Sequence, residues 1–88
     1  MNIEFKKSFK KDLLKILDAD LLTKIKKIIV EVEQAEKLTE VRNIKKLKGE
    51  ENYYRIRVGD YRLGIKVNDG MVSLVRILHR KEIYRYFP

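Results

Sequence analysis

A chain of 88 residues has room for one modest core, which excludes a multidomain enzyme or a separate cofactor domain. At 44% hydrophobic and 39% charged residues it fits neither a disordered segment nor a membrane protein, and with no cysteine and one histidine it offers neither a disulfide framework nor a self-sufficient zinc site. The formal charge of +8 points instead to a compact basic domain that concentrates polyanions, acidic proteins or anionic lipid at its surface.

In chain order, the first residues lack the apolar core of a signal peptide, and no apolar run approaches the roughly 20 residues that span a bilayer. The chain is therefore expected to be complete and unprocessed, in a reducing, cytoplasmic setting. Asn2–Phe5 alternates Ile3 and Phe5 with polar neighbours, the period of a half-buried strand. Ser8 is positioned to cap a helix with an apolar face of Phe9, Leu13, Ile16 and Leu17, ending near Asp18. Asp20 is placed to cap a second helix, whose stripe of Leu21, Ile25, Ile28, Val32 and Ala35 runs to about Leu38. A joint this short predicts a helical hairpin. Residues 39–52 are polar, carry the run Lys45-Lys46-Leu47-Lys48 and contain Gly49, and so read as a connecting loop.

The period then changes. Residues 53–58 and 61–67 alternate around Gly59-Asp60, which predicts a β-hairpin, and Asn68-Asp69-Gly70 turns into a third strand over 71–78. The short segment 79–86 is charged and aromatic. The order β-α-α-β-β-β predicts a single α+β domain over residues 1–88. In it, the N-terminal strand and helical hairpin pack on a mostly antiparallel four-stranded sheet whose other face is free.

Charge is concentrated where that sheet forms: residues 1–44 carry +2 and residues 45–88 carry +6, which together make the +8. Six of the seven arginines and all five tyrosines lie in the second half. Arginine forks onto phosphates and tyrosine stacks on exposed bases. Strand parity puts Arg55 and Arg57 on one side, and Arg62, Gly64 and Lys66 on one side of the next strand, which together build a cationic surface. Strict alternation groups Arg76 with Leu74 and Leu78, and leaves open whether it joins that surface. Gly64 fits a place where something large lies on the sheet. The plainer reading, solvated charges on an open face, stands beside this one.

Three segments in register carry a family resemblance: Lys45-Lys46-Leu47-Lys48-Gly49, then Tyr53-Tyr54-Arg55-Ile56-Arg57-Val58-Gly59-Asp60-Tyr61-Arg62, then Ile77-Leu78-His79-Arg80-Lys81-Glu82-Ile83-Tyr84-Arg85. Together they resemble the RelE/ParE superfamily of toxins of type II toxin-antitoxin modules, over nearly the whole chain, with the RelE branch favoured. The resemblance implies a RelE-like fold and a toxin that enters the ribosomal A site, cuts mRNA and so inhibits translation and growth. In the ParE branch the same fold poisons DNA gyrase; a non-catalytic RNA-binding module or decayed toxin is the third reading. The resemblance also implies site residues. Arg55 and Arg57 match basic positions on the first strand of the meander, Arg62 matches the arginine of the Tyr-Arg pair, and Arg80 and Tyr84 match the late pair flanking the scissile phosphate.

The chemistry is consistent with those residue types. The carboxylates are scattered and the histidine is single, so no metal ligand set is visible and no cofactor is expected. RNA supplies its own nucleophile: its 2′-hydroxyl can attack the adjacent phosphate, so the protein need only align the strand, stabilise the phosphorane and move protons. A guanidinium stays protonated and is no base, which leaves Arg55 and Arg57 to stabilise the transition state. Tyr84 is the candidate proton handler. His79 is weighed chiefly as a partly buried structural residue, and Tyr53, Tyr61, Tyr86 and Phe87 as packing. Lys45, Lys46, Lys48, Arg76 and His79 are expected to grip RNA or the ribosome. The partners implied are the ribosome with its A-site mRNA and a cognate acidic antitoxin, in a toxin-antitoxin hetero-oligomer and without a membrane.

Overall fold

The computed structural model describes residues 1–88. Its elements are β1 (Asn2–Phe5), α1 (Lys7–Leu14), α2 (Ala19–Gln34), a single 3₁₀ turn (Leu38–Glu40), β2 (Ile44–Lys46), β3 (Tyr53–Val58), β4 (Tyr61–Asn68), β5 (Met71–His79) and α3 (Ile83–Tyr86). The strands form one sheet in the order β1-β5-β4-β3-β2, with β1 parallel to β5 and every other pair antiparallel. No helix is long and apolar enough to cross a membrane.

The α+β architecture is the expected one, but the sheet has five strands rather than four. The additional strand, β2, lies inside the segment expected to be loop. Three residues are too few to show alternation, and the lysines around Ile44 hide the one apolar residue that pairs with Ile56. Helix ends differ as well. Asp18 rather than Asp20 caps α2, its Oδ1 accepting from the amides of Asp20 at 2.9 Å and Leu21 at 3.2 Å. That helix stops at Gln34, where Ala35 turns to extended backbone. Ser8 caps nothing: it lies inside α1, and its hydroxyl donates to the Val75 carbonyl at 2.6 Å. Leu17, expected on the buried stripe, is 91% exposed because α1 ends at Leu14.

Side chains on one face of the sheet make the core. Ile56, Leu63 and Ile77 form one row across β3, β4 and β5, and Tyr54, Ile65 and Leu74 the next. Phe9 of α1 with Ile25 and Val32 of α2 close over them, all at most 2% exposed. Each such apolar side chain, once buried, contributes roughly 1.5–3 kcal/mol.

Two local devices decide what the opposite face displays. The first is a β-bulge between Gly64 and Ile65: Gly64 pairs with Arg76 and Ile65 with Leu74, so Val75 is the extra residue. The bulge breaks the strict alternation expected for β5, sending Leu74 into the core and Arg76 to the face that carries Gly64. The second is the way α1 finishes the job of β1. Where β1 stops at Phe5, Ser8 and Asp12, one turn apart on α1, take the free Val75 carbonyl and the free Ile77 amide of β5, the latter at 3.1 Å. Asp12 is only 5% exposed, and it also receives Arg76 Nε at 2.7 Å and Nη2 at 3.0 Å. A carboxylate this dry persists because both its oxygens accept hydrogen bonds and a guanidinium pairs its charge.

Candidate functional site

The face away from the core carries the cationic rows expected from strand parity. Lys45, Arg55, Gly64 and Arg76 lie in one line across β2, β3, β4 and β5, with Arg57 and Arg62 paired in the line beside it. The C-terminal segment crosses this face. Ile83 is buried and anchors α3, and the Phe87 ring lies directly on Gly64, so that a Cβ there would come within 2.8 Å of the ring. Tyr53 meets the same ring edge-on at 5.5 Å. The large object that Gly64 makes room for is therefore the chain's own Phe87.

This docking aligns aromatic residues with cations. The Arg55 guanidinium sits 4.4 Å from the Tyr84 ring centroid, and the Arg76 guanidinium 5.8 Å from that of Tyr86. The row Arg55–Gly64–Arg76 is thus matched, residue for residue, by Tyr84, Phe87 and Tyr86. Gly64→Ala is expected to lift the Phe87 ring and to lower stability by about 1–3 kcal/mol, with partial recovery in the Gly64→Ala, Phe87→Leu double variant, measured by thermal denaturation.

Beside the Arg55–Tyr84 contact lies an open cleft of about 350 Å³, lined by Asn43, Ile44, Lys45, Arg55, Arg57, Arg62 and Tyr84. Its cations are held from behind. Arg57 Nη2 donates to Asn43 Oδ1 at 3.3 Å, and Arg62 Nη1 donates to the carbonyls of Gly59 at 3.0 Å and Tyr61 at 2.9 Å, pinning the β3–β4 turn. Arg55 Nε is buried without a hydrogen-bond partner, a rare condition for a charged donor and one that an anion at the cleft would relieve. Tyr84 is 71% exposed, yet its phenol is held below the ordinary phenol range, first by the Arg55 guanidinium beside its oxygen and then by the charges of Arg62 and Lys45. The arrangement can bind a phosphodiester and present it with a phenol that ionises more readily than a free one. No three of the chain's His, Asp or Glu side chains come together as a metal cage.

The structure brings Lys45, Arg55, Arg57, Arg62 and Tyr84 together and leaves the other expected site residues elsewhere. Arg80 is exposed on the turn after β5, outside the cleft lining, with its amide donating to the Asp60 carbonyl at 2.7 Å. Lys46 falls on the opposite parity of β2, and Lys48 on the turn beyond it. Arg76 is taken by Asp12. His79 sits edge-on to Tyr61 at 5.6 Å with Nδ1 accepting from the Lys81 amide at 3.1 Å, outside the cleft lining. Asn43 was not anticipated. Its φ of 61° marks a left-handed turn that asparagine tolerates, and this turn swings its side chain under Arg57.

Comparison with known proteins places the chain among toxins of toxin-antitoxin systems. The family model described as the ParE toxin of type II toxin-antitoxin system, parDE, matches residues 3–84. The chain is 48% identical over 89 aligned positions to Toxin RelE3 of Methanocaldococcus jannaschii, with all of both chains covered. Among solved structures it is similar to the RelB-RelE antitoxin-toxin complex from Methanococcus jannaschii, with a TM-score of 0.82, 47% identity, and 97% of this chain and 99% of that one covered. The archaeal RelE-RelB complex from Pyrococcus horikoshii OT3 shares the fold, at a TM-score of 0.73 and 23% identity over 90% of this chain and 93% of that one. With its fold, its cationic cleft and an archaeal RelE toxin as a full-length relative, the chain belongs to the RelE/ParE superfamily and is a RelE-like toxin of a type II toxin-antitoxin system.

Proposed function

We propose that this toxin is a ribosome-dependent endoribonuclease that cuts mRNA in the A site by attack of a 2′-hydroxyl on the adjacent phosphate. The observation that carries the reading is Tyr84 stacked 4.4 Å from the Arg55 guanidinium at the edge of a cleft shared with Arg57, Arg62 and Lys45. Tyr84, its pKa lowered first by Arg55 and then by Arg62 and Lys45, accepts the proton of the 2′-hydroxyl in its phenolate form. The 2′-oxygen bonds to phosphorus, the bond from phosphorus to the 5′-oxygen breaks, and the leaving oxygen takes a proton from water. Arg55, Arg57 and Arg62 stabilise the extra negative charge of the phosphorane, and Lys45 steadies the flanking strand. Arg80, on its exposed turn, contacts the phosphate only after the RNA is seated. Lys46 and Lys48 bind ribosomal RNA, whereas Arg76 and His79 belong to the fold.

A surface of net +8 suits a cognate antitoxin that is acidic and folds as it binds, and the complexes named for RelB and RelE support such a partner here. Ribosomal substrate puts the site of action in the cytoplasm. The family model's ParE description favours one rival, inhibition of DNA gyrase. Brief induction in a bacterium, followed by primer extension on a translated message and an untranslated copy, separates the two. The proposal expects cuts in the translated message alone, lost with Tyr84→Phe; growth arrest with intact mRNA and accumulating DNA breaks would assign the toxin to gyrase.

A further inference from the structure

We propose that the substrate RNA strand continues out of the cleft into a second groove, between α2 and the end of β3, and is held there by Lys24, Lys27 and Arg42. The groove has a volume of about 850 Å³ and adjoins the cleft, the two sharing the hydrogen-bonded pair Asn43 and Arg57 in their linings. A strand whose scissile phosphate lies at Arg55 and Tyr84 and that leaves past Arg57 meets this groove next.

The lining is that of a backbone track. Lys24, Lys27 and Glu31 recur on one face of α2, so the two lysines stand about one turn apart along the same wall of the groove. Arg42 follows the 3₁₀ turn and faces them across the groove. With Arg57 this makes four cations against the single carboxylate of Glu31. Lys24, Lys27 and Arg42 are exposed, and none takes part in the two ion pairs of the chain, Lys6–Glu4 and Arg76–Asp12, or in a side-chain hydrogen bond. They are available charges, unlike Arg76. Ile28 and Val58 provide a small apolar floor, and Gly59 leaves it open at one end. An acidic protein segment would also meet these charges, but adjacency to the cationic cleft favours the RNA strand.

The inference rests on the nuclease reading, and its test keeps the two apart by using a strand that cannot be cut. A fluorescent single strand of 2′-deoxy nucleotides is titrated with the toxin over a range of salt concentrations. The Lys24→Gln, Lys27→Gln, Arg42→Gln variant is run beside an Arg55→Ala, Arg57→Ala variant, with thermal denaturation to show that each is folded. Each phosphate contact contributes a slope of about −0.7 in log K against log salt, so loss of three contacts is expected to flatten the slope by about 2. An unchanged slope in the triple variant overturns the groove while leaving the cleft standing. An unchanged slope in the Arg55, Arg57 variant alone counts against the cleft reading itself. On programmed ribosomes, a 4-thiouridine placed beside an uncleavable A-site codon is expected to crosslink to residues 24–31 or 42–43. Crosslinks to ribosomal RNA instead, or a triple variant that loses only antitoxin binding, would assign the groove to another partner and overturn the proposal.

Discussion

Arg55→Ala is expected to slow cleavage of ribosome-bound mRNA by on the order of 10²–10³, the usual loss when one preorganised charge is removed from a transition state. The loss has a second component that only pH reveals. In the intact site the Arg55 guanidinium is the first cause of the lowered Tyr84 pKa. A general base works in its deprotonated form, so at pH values below the Tyr84 pKa the rate rises with pH, and a lowered pKa lets that rise reach its plateau earlier. Without Arg55 the phenol returns toward its ordinary value, and the ascending limb of the pH–rate profile shifts to higher pH. Tyr84→Phe abolishes the limb and slows the reaction by about 10²–10⁴. Arg55→Lys, which keeps the charge but not the flat guanidinium face, restores part of the shift. Single-turnover rates on programmed ribosomes from acid to alkaline pH check all three. A profile that Arg55→Ala lowers without displacing would mean that Arg55 holds RNA and does not tune Tyr84.

Arg76→Ala is expected to act on the fold instead, at about 3–5 kcal/mol. It leaves the Asp12 carboxylate, 5% exposed, with the Ile77 amide as its remaining partner, and so strands a buried charge at the joint between α1 and β5. At about 4–8 °C per kcal/mol for a domain of this size, the thermal midpoint should fall by at least about 12 °C. The midpoint in urea should fall with it. RNA affinity of the folded fraction, measured in the cold, should change little. A variant with native stability and weakened RNA binding would return Arg76 to the nucleic-acid surface.

The contrast between these two arginines marks the limit of what the amino-acid pattern conveys. Alternation over 53–58 and 61–67 placed Arg55, Arg57 and Arg62 on one face, because period two is a local property of a strand and both strands are regular. The same arithmetic misplaced Arg76 relative to Leu74, because a bulge is set by how two strands pair and leaves no mark in either strand alone. Asp12 illustrates the other blind spot. On a lysine-rich helix it reads as a solvated acid, and only the early end of β1 exposes the β5 amide that draws it in. β2 was hidden by its length. Gly64 did signal a close approach, and Phe87, just past α3, supplied the partner from 23 residues farther along the chain, a distance no local pattern spans. Tyr84 was legible through family resemblance, whereas its stacking on Arg55 follows from Phe87 docking on Gly64.

The central claim is that the cleft uses the RNA's own 2′-hydroxyl as nucleophile, and one substitution in the substrate tests it. Ribosomes are programmed with two mRNAs identical except for a single 2′-deoxyribose at the nucleotide 5′ to the cut, and the purified toxin is added to each. The account predicts that the all-ribose message is cut to a 2′,3′-cyclic phosphate end while the deoxy message stays intact. Equal cutting of both would show that the attacking oxygen comes from elsewhere, and would contradict the mechanism built on Tyr84 and Arg55.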